Sequence, residues 1–291
     1  MQEFEFYSPK TLDELVCILE ETGGEVIAGG TDILPRVRRG RMIANHVLVN
    51  INGIADLSFI RQEDDTIRIG ALITHQAMVE SSLLRESAPV LVEAAASIGC
   101  PQTRNRGTLG GNLANASPAA DTIPALFILN ALIHLFSRRG FRQVSPAEFL
   151  IAPRTTCLRQ GEIIHSITFP IPTGRHSGCF LKIGKRNGMS IAVVSAAVGL
   201  WLDDSGKIGD VRAAVGSASP TVVRCHRVEQ ALMGKKPDVE LFQQAAQEVQ
   251  TSISPISDIR ATSQYRQHAA VVLLRRAFTT AWERFNGGIN R

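Results

Sequence analysis

In the first 50 residues, short apolar runs are separated by segments in which apolar residues recur at helical spacing. Apolar runs at 4–7, 25–28 and 46–51 have the length of strands, while 11–22 carries apolar residues at helical spacing. A Gly-Gly pair follows 11–22, as is typical of a helix end, and 32–39 is predicted to be a second helix. This order predicts a small parallel α/β unit with a glycine loop at the carboxyl end of a strand, where ligands commonly bind.

From position 59 the pattern changes to hairpins and short helices. Apolar runs on both sides of Asp64-Asp65 predict a hairpin over 59–70. The other elements predicted in this part are helices and strands of a mixed sheet, at 74–80, 89–97, 122–130, 132–136 and 162–169. The segment 170–174 contains two prolines and a glycine, which break either period, so it is the predicted linker.

The last part of the chain predicts a separate domain in which strands are followed by helices. A meander of three strands is predicted at 180–185, 191–202 and 208–215. Helical patterns then follow, at 221–233, 238–251 and 263–285. Since 291 residues suffice for two domains, each can bury a core of its own.

Composition excludes several classes of protein. With 44% hydrophobic and 20% charged residues the chain is typical of a soluble globular protein rather than a disordered one. A net charge of +4 and 5% aromatic residues disfavour nucleic acid as a partner. The basic stripe of Arg36, Arg38, Arg39 and Arg41 is interpreted as a solvated helix end or a partner-facing patch.

Cysteine usage and hydropathy indicate a cytoplasmic protein. The five cysteines include no C-x-x-C pair, which disfavours an iron–sulfur cluster or structural zinc in this chain. Their odd number, together with the lack of a secretory signal, is expected of a reducing compartment. The longest uncharged apolar run, 191–202, is shorter than the roughly 20 residues that a membrane-spanning helix needs.

Two glycine pairs are the candidate binding elements. Gly29–Gly30 lies in the first glycine segment, residues 28–35, and Gly110–Gly111 lies in the second glycine segment, residues 108–121. In the first, the backbone amides of residues 29–34 can form an anion nest without any lysine. The alternative is that the Gly29–Gly30 pair serves only a tight turn between strand and helix.

In the second glycine segment, Gly110 and Gly111 allow the chain to approach a phosphate or a flavin, and Thr108 and Asn112 offer side-chain hydrogen bonds. Asp121 only accepts hydrogen bonds when ionised, so it suits a ribose or ribityl hydroxyl; the alternative is an N-cap for the helix that follows.

Three further polar residues have alternative interpretations. Ser117 can bond a hydroxyl or simply pack, and Arg104 and Arg106 can face a phosphate, a partner chain or solvent. The two glycine segments together suit a ligand with a diphosphate in its middle and a sugar nearby.

Common catalytic and nucleotide-binding motifs are missing. The chain contains no G-x-G-x-x-G, no Gly-Lys followed by Ser or Thr, and no G-x-S-x-G, H-E-x-x-H or EF-hand pattern. The seven histidines are dispersed singly and are interpreted as surface or hydrogen-bonded polar residues rather than metal ligands.

Four stretches carry a resemblance to a known family. AGGTDILP (28–35), PQTRNRGTLGGNLANASPAAD (101–121), FLKIGKRNGMSIAVVSAAVGL (180–200) and SQYRQHAAVVLLRRAF (263–278) resemble, in order, motifs of the FAD-binding subunit of molybdenum hydroxylases. That family includes xanthine dehydrogenases, nicotinate dehydrogenase and carbon monoxide dehydrogenase. The similarity extends over nearly the whole chain.

The resemblance implies an α+β protein. It has a two-lobed FAD-binding domain of the PCMH (vanillyl-alcohol-oxidase-like) type over 1–172, with lobes of about 1–56 and 57–172. A C-terminal domain of the CO-dehydrogenase flavoprotein type over 177–291 would contain a three-stranded antiparallel sheet and a helix bundle.

The resemblance also adds two contacts to the flavin ring, Lys182 and the aliphatic Ile164. On the sequence alone, Lys182 is interpreted as a strand lysine that points to solvent. The expected cofactor-binding residues are Ile27, Ala28, Gly29, Gly30, Thr31, Asp32, Ile33, Leu34, Thr108, Gly110, Gly111, Asn112, Ser117, Asp121, Ile164 and Lys182.

The implied function is electron transfer in a complex most like xanthine dehydrogenase. FAD in this chain would collect electrons from 2Fe–2S clusters of an iron–sulfur subunit and pass hydride to NAD or another acceptor. A third, molybdopterin-binding subunit would hold the substrate, so nothing in this chain identifies that substrate. Because hydride transfer is the chemistry of the flavin, no catalytic residue of this chain is expected.

Two alternatives and one departure accompany this interpretation. A stand-alone FAD reductase of similar fold, such as a UDP-N-acetylenolpyruvylglucosamine reductase, would require a paired Ser and Glu near the flavin, and no such pair is evident. A flavin-free scaffold that kept the fold is the second alternative. Some family members carry a cysteine-rich insertion for an extra cluster, and this sequence has none.

Overall fold

A three-stranded parallel sheet forms the N-terminal lobe. The structure is a computed structural model that describes residues 3–40, 43–186 and 188–285. Chain order in this lobe is β1 (Glu5–Tyr7), α1 (Leu12–Thr22), β2 (Glu25–Ile27), α2 (Ile33–Arg38) and β3 (Val47–Asn50). β3 pairs in parallel with β1 on one side and β2 on the other, which confirms the predicted parallel unit. Arg41 of the predicted basic stripe and residues 286–291 of the predicted C-terminal domain lie outside the described residues.

Local capping explains why α1 occupies its place. The Thr11 side chain accepts a hydrogen bond from the Glu14 amide at 3.2 Å, and Gly23 ends the helix with φ 61°. Leu15 and Leu19 then pack against β3, so the core of this lobe lies between helix and sheet.

The second lobe is built on a five-stranded sheet in the order β4-β5-β10-β6-β7. Its strands are β4 (Ile60–Glu63), β5 (Thr66–Gly70), β6 (Leu132–Ser137), β7 (Gly140–Val144) and β10 (Ile163–Pro170), and a separate small hairpin is formed by β8 (Leu150–Ala152) and β9 (Thr155–Thr156). Its helices are α3 (His75–Glu80), α4 (Ser82–Ser87), α5 (Pro89–Ala96), α6 (Pro101–Arg104), α7 (Leu109–Ala114), α8 (Thr122–Ile128) and α9 (Pro146–Phe149).

The prediction of a mixed sheet in this lobe is wrong. β10 returns between the hairpins β4–β5 and β6–β7 and runs antiparallel to both of its neighbours. The two hairpins are antiparallel within themselves, so all four pairings of this sheet are antiparallel. The direction of β10 could not be predicted from periodicity, because the connection between β7 and β10 is long.

The Gly-Gly pair of the second glycine segment lies in a helix rather than in a loop. α7 begins at Leu109, and the side chain of its N-cap Thr108 accepts a hydrogen bond from the Gly111 amide at 3.0 Å. Close packing explains the glycine at 110, because a Cβ there would lie 2.7 Å from the Cβ of Ala71. The local polar cap therefore overrides the low helix propensity of glycine.

The C-terminal domain is an antiparallel sheet covered by helices. Its elements are β11 (His176–Ile183), β12 (Val194–Leu202), β13 (Ile208–Gly216), β14 (Val223–Arg224), α10 (His226–Leu232), α11 (Val239–Gln247) and α12 (Ser263–Phe285). The sheet has four strands in the order β11-β12-β13-β14, one more than predicted. The extra strand lies where a helix was predicted to start at 221, because the backbone of Val223 and Arg224 pairs with β13. The bounds of α12 match the prediction.

The two domains share packed surface. Phe180, Ala197 and Ala214 of the C-terminal sheet join the hydrophobic core of the second lobe. The Glu93 carboxylate of α5 accepts hydrogen bonds from the Phe180 amide at 2.8 Å and from the Arg284 guanidinium at 2.6 Å. β11 is therefore fixed against the second lobe. In the described residues, no helix is both long and apolar enough to cross a membrane.

Candidate functional site: a cleft between the two glycine segments

The two glycine segments line one cavity, here called the glycine cleft, of about 520 Å³. Its walls come from the end of β2 and the start of α2, from the start of α3, from residues 107–115, and from the start of β10. The first segment touches the residues that lead into the second: a Cβ at Gly29 would lie 1.8 Å from the carbonyl oxygen of Arg106, two positions before Thr108. Glycine is thus required at position 29 because the backbone of Arg106 approaches it closely, and this contact fixes the distance between the two segments.

Most of the first glycine segment faces the cleft as expected. Among the predicted residues, those that line it are Ile27, Ala28, Gly29, Gly30, Thr31, Asp32 and Ile33. Leu34 lies outside the lining, contrary to expectation. Its amide donates to the Gly30 carbonyl at 3.2 Å and its side chain is 43% exposed, because the chain turns there into α2.

In the second glycine segment, Thr108, Gly110, Gly111 and Asn112 line the cleft. Their polar side chains are engaged within the protein, however. Thr108 caps α7, and the Asn112 side-chain oxygen accepts a hydrogen bond from the Thr122 hydroxyl at 2.7 Å. These two side chains shape the cleft, and the amides of Gly110, Gly111 and Asn112 are also engaged within the protein.

Five predicted polar residues lie outside the cleft lining: Ser117, Arg104, Arg106, and the pair of Asp121 and Lys182 described below. The Ser117 hydroxyl accepts a hydrogen bond from the Ala119 amide at 3.2 Å, so it stabilises a turn. The Arg104 guanidinium donates to Gln76 Oε1 at 3.1 Å and to the carbonyl oxygens of Ala96 and Ile98, so it has a structural role. Arg106 is exposed.

Asp121 and Lys182 form a buried ion pair that joins the two domains. Lys182 Nζ lies 2.5 Å from Asp121 Oδ2 and 3.0 Å from the Ser97 carbonyl oxygen. The side chain of Lys182 is 11% exposed and that of Asp121 is 7% exposed. The sequence alternatives for both residues are therefore incorrect: Lys182 does not point to solvent, and Asp121 precedes α8 without a side-chain cap bond.

Burial dominates the electrostatics of Asp121. Loss of solvent raises the pKa of this carboxyl to about 6, even though the ammonium of Lys182 favours the ionised form. Its second oxygen, Oδ1, is buried and has no hydrogen-bond partner among the residues that the structure describes. A buried acceptor in that state is able to take a hydrogen bond from a ligand.

Ile164 lines the cleft from β10 and is 6% exposed, as expected for an aliphatic wall. A bulge between Ile164 and Ser166 interrupts the pairing with β6 at this point, and bulges commonly re-aim side chains beside sites. Neighbouring Glu162 is held by both guanidinium arms of Arg142, at 2.7 and 2.6 Å, and these hydrogen bonds keep the pKa of Glu162 below its usual range.

His75 is a lining residue that the sequence interpretation missed. It was expected to be a surface or hydrogen-bonded histidine, but it is 3% exposed and its buried Nδ1 has no hydrogen-bond partner within the described residues. Burial, assisted by the charge of Arg104, lowers the pKa of His75 to about 4. The available signal was its position: Thr74-His75 follows a strand and begins a helix, as the first glycine segment does.

Comparisons with known proteins agree with this geometry. A family model described as the FAD binding domain in molybdopterin dehydrogenase matches residues 2–172. A second model, the CO dehydrogenase flavoprotein C-terminal domain, matches residues 180–281.

Similar proteins align over almost their whole length. The glyceraldehyde dehydrogenase medium chain of Sulfolobus acidocaldarius is 31% identical, with 95% of this chain and 97% of that protein covered. The xanthine dehydrogenase FAD-binding subunit of Escherichia coli is 29% identical, with 95% of each covered. A structure of carbon monoxide dehydrogenase from Hydrogenophaga pseudoflava, lacking the Mo-pyranopterin moiety of its cofactor, matches with TM-score 0.93 at 30% identity, over 97% of this chain and 98% of that one.

The two-lobed α+β fold and its glycine cleft define the class of FAD-binding flavoprotein domains, which confirms the expected fold class. The chain belongs to the family of FAD-binding subunits of molybdenum hydroxylases, and it is an oxidoreductase subunit whose cofactor is FAD. The resemblance read from the motifs is thereby confirmed.

Proposed function

We propose that the chain holds FAD in the glycine cleft and carries electrons from 2Fe–2S clusters of a partner subunit to NAD or another acceptor. A molybdopterin-binding subunit would complete the complex. The observation that carries this proposal is that both glycine segments line one cavity and that Gly29 lies against Arg106, just before the second segment. When bound, FAD supplies the two-electron and hydride chemistry, so the residues of this chain need only bind, orient and tune it.

The main chain fits a diphosphate. Within the part of the chain that the structure describes, the amides of Gly29, Gly30 and Thr31 donate no hydrogen bond to another residue. Gly29 and Gly30 are half-buried and Thr31 is exposed, and a row of unpaired amides beside a cavity attracts anions. We assign the diphosphate to this end of the cleft.

The Asp121–Lys182 pair fits the opposite part of the ligand. The unpartnered Oδ1 of Asp121 would accept a hydrogen bond from a ribityl or ribose hydroxyl. The ammonium of Lys182 would place a positive charge where negative charge develops as the flavin ring takes up electrons. Ile164 would pack beside the ring. The remaining proposed contacts are the lining residues already described in both glycine segments.

Domain boundaries and biological context belong to the same proposal. We place the boundary between the FAD-binding domain, 1–172, and the C-terminal domain, 177–291, in the proline-rich connection before β11.

A xanthine-like substrate is supported by the motif resemblance. Relatives named for glyceraldehyde, xanthine and carbon monoxide differ by at most two percentage points in identity, so overall similarity does not favour one substrate. Five unpaired cysteines support a reducing, cytoplasmic location.

Flavin absorbance of the purified full chain tests the proposal. We expect flavin absorbance bands after addition of FAD, and co-purifying iron–sulfur and molybdopterin subunits when the chain is isolated from its own cell. Colourless protein that ignores added FAD would contradict the proposal and favour a scaffold. Flavoprotein that purifies without those subunits and reduces a substrate by itself would favour the stand-alone reductase.

A matched pair of glycine variants localises the ligand. Gly111→Val would place an isopropyl group against the Thr108 hydroxyl, which an added Cβ would meet at 2.9 Å, and into the cleft, so we expect loss of FAD binding. Gly209→Val introduces the same group at an exposed position of β13, where an added Cβ meets its nearest atom at an ordinary 3.6 Å, and should bind FAD normally. Equal flavin content in the two variants would contradict the assigned site.

A further inference from the structure

His75 is held at the junction of the two glycine segments. Its amide donates to the Gly107 carbonyl at 2.9 Å, and the preceding residue, Thr74, forms a β-bridge with Thr108. These backbone contacts tie the start of α3 to the start of α7. The side chain of the first residue of α3 therefore emerges between the segments rather than on an outer face.

The imidazole ring of His75 and the first glycine segment both lie against the same backbone position, Gly107. A Cβ at Gly107 would lie 3.1 Å from His75 Cδ2 and 3.4 Å from Thr31 Oγ1. The ring and the Thr31 hydroxyl thus flank Gly107 from two sides, and both residues line the cleft. With the residue 3% exposed and Nδ1 unpartnered among the described residues, the ring has a buried polar atom that nothing in the described chain satisfies.

The charges around the cleft explain why a neutral donor is useful there. Among the described residues, Arg36 is the one arginine or lysine that lines it, and Arg36 is already paired with Asp32 at 2.6 Å. The nearby Arg104 guanidinium is engaged with Gln76 and two carbonyl oxygens. Burial and Arg104 lower the pKa of His75 to about 4, so near neutral pH the ring is uncharged and carries one N–H donor.

We propose that His75 is a ligand of the diphosphate: its Nδ1–H donates a hydrogen bond to a phosphate oxygen of the dinucleotide in the glycine cleft. This inference rests on the proposed binding of FAD there. A phosphate is favoured over an adenine or ribose partner, because the ring lies near Thr31, at the row of amides of Gly29, Gly30 and Thr31 that donate no hydrogen bond within the described residues.

Binding of ligand fragments tests the assignment. Dissociation constants of FAD, ADP and riboflavin would be measured by calorimetry for the full chain and for His75→Leu and His75→Asn. We expect His75→Leu to weaken FAD and ADP by about ten-fold or more, the usual effect of losing a hydrogen bond to a charged group, and to leave riboflavin unchanged. His75→Asn keeps an N–H donor near the Nδ1 position and should restore most of the affinity.

His134→Leu is the matched control. This histidine is a similarly buried residue of the same lobe, 9% exposed, but it bonds Thr168 at 2.8 Å and does not line the cleft. It should leave all three dissociation constants unchanged. Equal weakening of riboflavin and ADP in His75→Leu, or FAD affinity equal to that of the unaltered chain, would overturn the inference.

A measurement on the unaltered chain covers the case in which a variant does not fold. With ¹⁵N-labelled histidine, saturation with FAD should shift the Nδ1 resonance of His75 and leave that of His134 in place. An unshifted His75 resonance at saturation overturns the inference alone. Absence of FAD binding by the unaltered chain would instead overturn the proposed function, so the two failures are distinguishable.

Discussion

Two regions of the molecule offer a ligand opposite kinds of chemistry. The glycine end, at Gly29, Gly30 and Thr31, lines the cleft and offers main-chain amides beside the neutral imidazole of His75, and its geometry depends on close contact between backbone segments. The charged end is the pair of Asp121 and Lys182, which lies outside the lining of the cleft and is contributed by different domains. The glycine end therefore depends on shape within a single domain, whereas the charged end depends on how the two domains are joined.

The difference also appears in the energetics. Amides held beside a cavity carry only partial charges, so the free-energy cost of removing them from water is modest. A buried ion pair loses solvation that its Coulomb attraction repays only partly, and the raised pKa of Asp121 is the direct sign of this imbalance. We infer that the glycine end sets whether the ligand is held, while the charged end is stabilised by its occupant.

The largest expected effect comes from Gly29→Ala, which breaks the glycine end. The new methyl carbon would lie 1.8 Å from the Arg106 carbonyl oxygen, and a backbone atom cannot yield without separating the two segments. We expect loss of FAD binding and a decrease of about 3 kcal/mol in the free energy of unfolding of the FAD-free protein. Urea unfolding and flavin absorbance measure the two effects.

Gly209→Ala is the control for that substitution, because its methyl group meets no atom closer than 3.6 Å. It should change the free energy of unfolding by a small fraction of the Gly29→Ala effect. A Gly29→Ala protein with full flavin content and an unchanged urea midpoint would show that the glycine end is not fixed by this contact.

Asp121→Ala tests the charged end and should have an intermediate effect. Loss of a charged hydrogen-bond partner predicts FAD binding weaker by about 1–3 kcal/mol. In the FAD-free protein the variant leaves Lys182 buried without its carboxylate, which is more costly than removing both charges. The double variant Asp121→Ala/Lys182→Met should therefore be more stable to urea than Asp121→Ala alone. Additive destabilisation in this double-mutant cycle would argue that the pair is not coupled.

The smallest expected effect is a difference in pH dependence between the two ends. The pKa of Asp121 is raised to about 6, so its folded state holds a proton that the unfolded state releases, and its contribution to stability falls as pH rises from about 4 to 6. The pKa of His75 is lowered to about 4, so its contribution rises with pH from about 4 to 6.5.

Each contribution amounts to about 1 kcal/mol between pH 5.0 and 6.5. Urea unfolding at these two pH values would compare the FAD-free protein with Asp121→Asn and His75→Asn. Asp121→Asn should gain relative stability at the higher pH, and His75→Asn should gain it at the lower pH. Parallel changes in the three proteins would contradict the opposite signs.

The sequence by itself determined the elements whose signals are local. The Thr11 cap and Gly23 specify α1, a continuous helical pattern specifies α12 from 263 to 285, and alternation specifies the meander of β11, β12 and β13. Small residues at 29–30 and 110–111 also marked the walls of the cleft, because close approach to a backbone excludes larger side chains. These features depend on neighbours within a few positions, so periodicity and residue type are sufficient to find them.

Only the tertiary structure decided which distant residues meet. β14 forms because β13 offers its edge, Asp121 finds Lys182 61 positions away, and His75 is buried because the start of α3 bridges to Thr108. Burial then sets the charge states of Asp121 and His75, in opposite senses, and no local pattern encodes burial. The physical reason is that desolvation and unpaired polar atoms belong to the three-dimensional surroundings of a side chain rather than to its neighbours in sequence.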